Sequence, residues 1–175
     1  MSQSLVKSIR EDANYLKFTK IVARVQKRLD MEASTNEALG LHASRTSRNL
    51  TGDDRYNAMK LIDANLKDLS YRARLVEIRV KNDLQLSIVR EAIEAMRRHI
   101  STEYADDLRD FSTADQRKSF VDRVIKNAKE YLAEGEALLD MLDMLVKDID
   151  QCSHSMRHVI DCLKLLEGSK AGKVV

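Results

Sequence analysis

His154, His158 and Cys162 follow one another at intervals of four residues, which puts two imidazoles and a thiol on one face of a single helix. Helical histidines at this spacing supply zinc ligands elsewhere. Three ligands strung along one helix do not converge on one ion without a second element, and all three fall at outward positions of the repeat described below. The expectation is no metal and no cofactor, with His154, His158 and Cys162 as the candidate ligands should a metal bind. Carboxylates also recur at helical spacing, as in Glu136/Asp140 and Asp143/Asp150. Acid–base work needs a pocket that desolvates one carboxylate, and a solvated helix face supplies none. No histidine follows a glutamate at the Glu-x-x-His spacing of di-iron bundles, and no glycine-rich phosphate loop is present. The expectation is a protein that is not an enzyme, with no catalytic residues.

Binding is the better prospect. Lys17, Lys20, Arg24, Lys27 and Arg28 recur every three to four residues within an N-terminal stretch holding seven basic side chains against Glu11 and Asp12. Such a row can neutralise nucleic-acid phosphates or lie on an anionic membrane. It can equally pair with the acidic residues of 130–150, where Glu130, Glu134, Glu136, Asp140, Asp143, Asp148 and Asp150 face only Lys147. That acidic partner, in the same or a neighbouring subunit, is the expected one. Arg72, Arg74, Arg79 and Lys81, and later Arg97-Arg98-His99, are expected to be solvated surface.

The elements that must carry these residues are helices. Proline is absent, where ordinary usage of about 5% would give roughly eight or nine, and only five glycines occur. With 33% charged residues and neither helix breaker in quantity, the fold class is all-α. The dominant feature is a heptad over residues 121–166. One row reads Val121, Ala128, Gly135, Leu142, Ile149, Met156, Leu163; the other reads Val124, Tyr131, Leu138, Leu145, Cys152, Val159, Leu166. A 3.5-residue period held this long predicts coiled-coil packing in a rod of about 70 Å. The stripe is widened by Ile125, Leu132, Leu139, Val146 and Ile160, so it needs more than one neighbour. Gly135 in the core row leaves space for a bulky residue on the facing helix.

Helix one is expected over about 4–39, with Tyr15, Phe18, Val22, Val25 and Leu29 as its seam. A polar connection follows over about 40–51, then helix two over about 52–110, capped by Thr51. Its seam is Ile62, Leu66, Leu69, Ala73, Val76 and Val80, and a stutter near Lys81-Asn82-Asp83 shifts the stripe. Helix three is expected over about 113–167, with Thr113 and Gln116 as a capping box and Gly168 as terminator, before a mobile tail at 168–175.

The expected architecture is a single elongated antiparallel hairpin, or three-helix bundle, in which helix one is too short to cover helix three. The seam residues Leu138, Leu142, Leu145, Ile149, Met156, Val159 and Leu163 are then expected to mediate homo-oligomerisation or to receive another helical protein. The corresponding function is structural or scaffolding, through self-assembly or membership of a larger complex. The alternatives are an oligomeric nucleic-acid-binding protein of recombination or replication, using the basic row, and a helical coat on a membrane surface. Cys152 and Cys162 stand about 15 Å apart on one helix, too far for a disulfide. With no signal-like or membrane-spanning apolar run, the expected location is cytoplasmic.

Overall fold

A computed structural model describes the backbone of residues 2–171 and the side chains of residues 4–166. The described chain is all-α, with no strand among the described residues. Its helices are α1 (Ser2–Glu11), α2 (Ala13–Arg28), α3 (Met31–Ala43), α4 (Ala58–Glu103), α5 (Ala105–Leu108), α6 (Ala114–Val124) and α7 (Lys126–Ala171). Short 3-10 turns at Ser47–Asn49 and Gly52–Tyr56 join α3 to α4. Each of α4 and α7 is 46 residues long, so each spans about 70 Å.

The chain divides into two compact units: Met1–Met31 with Lys81–Leu138, and Glu32–Val80 with Leu139–Val175. In the first unit, α2 turns Phe18, Val22 and Val25 inward. The C-terminal part of α4 contributes Leu86, Val89, Ile93, Met96 and Ile100, and α6 with the start of α7 contributes Phe120, Val121, Val124, Ile125 and Ala128. In the second unit, Leu61, Leu75 and Ile78 of α4 share the interior with Leu139, Leu142, Ile149, Met156 and Ile160 of α7, and with Ala38 of α3. The small cluster of Leu61, Met156 and Ile160 is closed by Leu50, Ile62, Cys152 and Leu163.

The first expected helix is three. Asp12 breaks it by leaving helical geometry (φ −63°, ψ 138°) and taking the amides of Asn14 (2.5 Å) and Tyr15 (3.4 Å) on its own carboxylate, which caps α2. A second break at Leu29–Asp30 separates α2 from α3. The expected cap of the second long helix also moves. Thr51 adopts extended geometry but makes no side-chain cap bond; Asn57 Oδ1 accepts from the amide of Lys60 at 3.1 Å and caps α4. At the other end α4 runs unbroken through Ile100-Ser-Thr and stops at Glu103. Thr113 caps α6 as its spacing predicts, accepting from Gln116 N at 3.2 Å, while the Gln116 side chain takes the Ser112 hydroxyl.

The heptad of residues 121–166 is interrupted in backbone but not in pattern. Ile125 ends α6 with φ −99° and ψ 15°, and α7 starts one residue later, yet Val121, Val124, Ile125 and Ala128 are all buried. Along α7 the buried stripe then drifts. In the first unit it follows both predicted rows (Ala128, Gly135, Leu138). In the second it follows Leu139, Leu142, Ile149, Ser153, Met156 and Ile160, while Val159 of the second predicted row is 44% exposed and Leu166 is exposed too. A straight α-helix lags a 3.5-residue repeat by about 20° per heptad, so after two to three heptads the inward residue moves one position along. The helix also continues past Gly168 to Ala171; residues 172–175 of the expected tail lie outside the described residues.

Candidate functional site

The basic row sits on α2, whose apolar face is turned into the first unit. Lys17, Lys20, Arg24, Lys27 and Arg28 are all exposed. Among the described residues none of the five has a carboxylate within ion-pair distance. Five of the seven expected acidic partners, Glu130, Glu136, Asp143, Asp148 and Asp150, pair elsewhere within the chain. In the second unit Arg72 grips Asp150 through Nε (2.5 Å) and Nη2 (3.0 Å), and Arg79 grips Asp143 through Nε (2.7 Å) and Nη2 (3.3 Å). In the first unit Arg90 reaches Glu136 at 3.3 Å, and Lys126 reaches Glu130 at 3.4 Å. Arg72 and Arg79, expected as mere solvated surface, therefore hold α4 to α7. A guanidinium presents two parallel donors to a carboxylate, which makes these pairs geometrically specific. The hydrogen bond to Asp150 also pushes the Arg72 guanidinium above its ordinary range.

The apolar seam predicted for helix two exists, but it faces outward. In the second unit Leu66 is 60% exposed and Val80 57% exposed, and Ala73 between them is exposed as well. Met59, 66% exposed, extends the row by one heptad. Ile62, Leu69 and Val76 lie half-buried beside it. The true interior row of α4 is Leu61, Asp68, Leu75, Asn82, Val89 and Met96, spaced by seven and buried throughout. Two polar members hid it. Of the seam residues predicted on helix three, Leu138, Leu142, Ile149 and Met156 are buried in their units, Leu145 and Leu163 half-buried, and Val159 exposed. Uncovered apolar residues lie on α4 as well as on α7, where Met144, Val159, Leu165 and Leu166 are exposed.

Asp68 belongs to a polar cluster that spacing alone did not reveal. The segment after α3 turns inward at Arg45, which is 1% exposed. Its guanidinium donates to Asp148 from Nη1, with Nε 3.6 Å from Asp68. Asp68 further accepts from the amide of Thr46 at 2.7 Å and from the Ser47 hydroxyl. Asp148 gathers His42 Nε2 at 2.7 Å and Arg48 Nη2 at 2.9 Å. The His42 hydrogen bond, with Arg45 and Arg48 behind it, holds the Asp148 carboxyl below the usual carboxylate range. The one signal in sequence was an acidic residue in a seven-spaced apolar row, facing an arginine set among small polar residues. The arrangement is an ion network, buried at Arg45 and Asp68 and half-exposed at Asp148 and Arg48.

A second polar hub lies in the first unit. Burial raises the Asp12 carboxyl, but hydrogen bonds from His99 (3.1 Å), the Asn14 amide and Tyr104 (3.2 Å) outweigh it and leave the group lowered. The imidazoles of His154 and His158 meet edge to face with Nε2 atoms 3.1 Å apart, and Cys162 is exposed. Among the described residues no group of three or more histidine, cysteine, aspartate and glutamate side chains is placed to hold a metal ion. Nor is any helix of the described residues long and apolar enough to cross a membrane. Compared with protein-family models, curated proteins and solved structures, the chain finds no match in any of the three.

Proposed function

We propose that this chain is a non-enzymatic structural or scaffolding protein, in which α4 and α7 form an antiparallel hairpin flanked by the shorter helices and self-association occurs through α4. The carrying observation is the outward row Met59, Leu66, Ala73 and Val80. Singly exposed apolar residues are ordinary, but four at seven-residue intervals, edged by half-buried Ile62, Leu69 and Val76, make a continuous coiled-coil seam. A second copy of the same helix, or a helical segment of another protein, fits such a seam. Light scattering after size exclusion should give a dimer or larger species at micromolar concentration. Leu66→Glu combined with Val80→Glu should shift it to monomer with unchanged helicity. A wild-type monomer under those conditions sinks the proposal.

A second reading, binding of nucleic acid, is favoured by the five α2 cations, which have no carboxylate within ion-pair distance among the described residues. The affinity of such a surface falls linearly in log–log form as salt rises, with slope set by the phosphates neutralised. Fluorescence anisotropy with single- and double-stranded oligonucleotides should show binding that weakens with salt and is lost in Lys20→Glu/Arg24→Glu/Lys27→Glu. Salt-insensitive signals, or unchanged binding in that variant, would count against it. A membrane-surface coat predicts flotation with anionic liposomes instead, a separate outcome. A cytoplasmic location accords with either of the first two readings.

A further inference from the structure

A cleft of about 490 Å³ opens in the first unit between the end of α4, α5 and the start of α6, a size typical of small-molecule sites. Its apolar lining is made by Leu108 and Val121, both largely buried, with the exposed Ala105 and Ala114. Its rim is cationic: Arg97, Arg109, Arg117 and Lys118 face a single carboxylate, Asp122. That carboxylate is already claimed twice, by Arg97 Nη2 at 2.9 Å and by Lys129 Nζ at 2.8 Å. Arg97 is in turn held by Glu94 at 2.5 Å.

The remaining cations are differently placed. Arg117 donates from Nε to the carbonyl of Phe111 at 3.2 Å, which anchors its guanidinium on the chain while no carboxylate among the described residues neutralises it. Lys118 has no ion pair among the described residues, and Arg109 reaches only the exposed Asp106 at 3.0 Å. Uncompensated positive charge thus borders a surface that water wets poorly. Neither the α4 seam nor the α2 row accounts for this combination.

We infer that this cleft binds a small amphipathic anion, its apolar body resting on Leu108 and Val121 and its carboxylate, sulfonate or phosphate held by Arg117 and Lys118. The charge selects the head group through charge-assisted hydrogen bonds, and the floor selects against bare inorganic ions. The site does not depend on self-association or on nucleic-acid binding.

The test is a titration of the full chain with 1-anilinonaphthalene-8-sulfonate, read by fluorescence. One saturable site is expected, with N-phenyl-1-naphthylamine, the uncharged relative, binding at least tenfold more weakly. Arg117→Glu combined with Lys118→Glu should weaken the sulfonate at least tenfold; both side chains are exposed, so circular dichroism should be unchanged. Lys118→Ala alone, a milder change, should weaken it about threefold. Octyl phosphate should displace the dye at concentrations where inorganic phosphate does not. Leu66→Glu, on the separate α4 row, should leave dye binding intact. Non-saturable binding, equal affinity for the uncharged dye, full binding by the charge-reversed variants, equal displacement by inorganic phosphate, or loss in Leu66→Glu would each overturn the assignment.

Discussion

Gly135 faces Leu86 so closely that a Cβ built on it would meet Leu86 Cδ1 at 2.7 Å and Cγ at 3.1 Å, with Cδ2 nearer still. Leu86 is fully buried, so its side chain would have to shift within the interior to admit a Cβ. Gly135→Ala gains up to about 1 kcal/mol of helix propensity, against an overpacking cost of about 1–3 kcal/mol. The expected outcome is a net loss of about 1 kcal/mol in denaturant unfolding. In a Leu86→Ala background the same substitution should become neutral or stabilising, because the obstructing side chain is gone. Arg45 is the other residue whose removal should be felt strongly. Arg45→Ala leaves Asp68 buried with its hydrogen bonds from Thr46 and Ser47 but no countercharge. Breaking a buried pair from one side costs about 3–5 kcal/mol, and a loss near the lower figure is expected because Asp68 keeps those donors. An exposed pair such as Arg72–Asp150 should by comparison lose about 1 kcal/mol or less on Arg72→Ala.

At the scale of elements, the inward face of α2 was legible because Phe18, Val22, Val25 and Leu29 alternate in steps of four, three and four. The Thr113 cap was legible because the Thr-x-x-Gln signature precedes the turn it makes. Other features were not. Asp12 interrupts a helical pattern by competing for backbone amides, a local choice that needs His99 and Tyr104, far along the chain, to fix its carboxylate. The inward row of α4 was hidden because Asp68 and Asn82 occupy it, so an unbroken apolar row elsewhere on the same helix looked the better seam. The Ile125 break carries no glycine or proline and leaves the hydrophobic order intact, so periodicity passes over it. Likewise Thr51 has the residue type and position of a cap for α4, yet Asn57 makes the bond. Asn57→Ala should therefore lower stability by about 1 kcal/mol, while Thr51→Ala should change it by a few tenths at most, both by thermal or urea unfolding.

For the molecule as a whole, stability at acid pH draws on three carboxylates among the described residues. Asp12 and Asp122 in the first unit and Asp148 in the second are all held below the ordinary value of 3.8. For Asp122 the Lys129 hydrogen bond leads, followed by Arg97 after the opposing effect of burial. A depressed folded-state value means the unfolded chain binds protons first on acidification. Stability from these groups is thus complete above about pH 5 and lost as pH falls through 4 and below. Melting curves should be nearly flat from pH 7 to 5 on this account and fall steeply below 4. Asp148→Asn should lower the neutral-pH melting temperature and flatten the acid limb.

Both compact units are assembled from two separate stretches of chain, and this bears on the order in which the protein is made. A nascent chain that has reached Val80 holds one of the two stretches of each unit and the whole of neither. α1 and α2, at 10 and 16 residues, are marginal helices alone in water, and the rest of their unit is complete only once synthesis has passed Leu138. The second unit waits longer still, until the latter half of α7 has emerged. Folding on the ribosome therefore cannot proceed unit by unit from the N-terminus, as it does when domains are contiguous. At ordinary elongation rates the exposed helices would stay unpaired for several seconds, a window in which a chaperone or a neighbouring nascent copy can bind first.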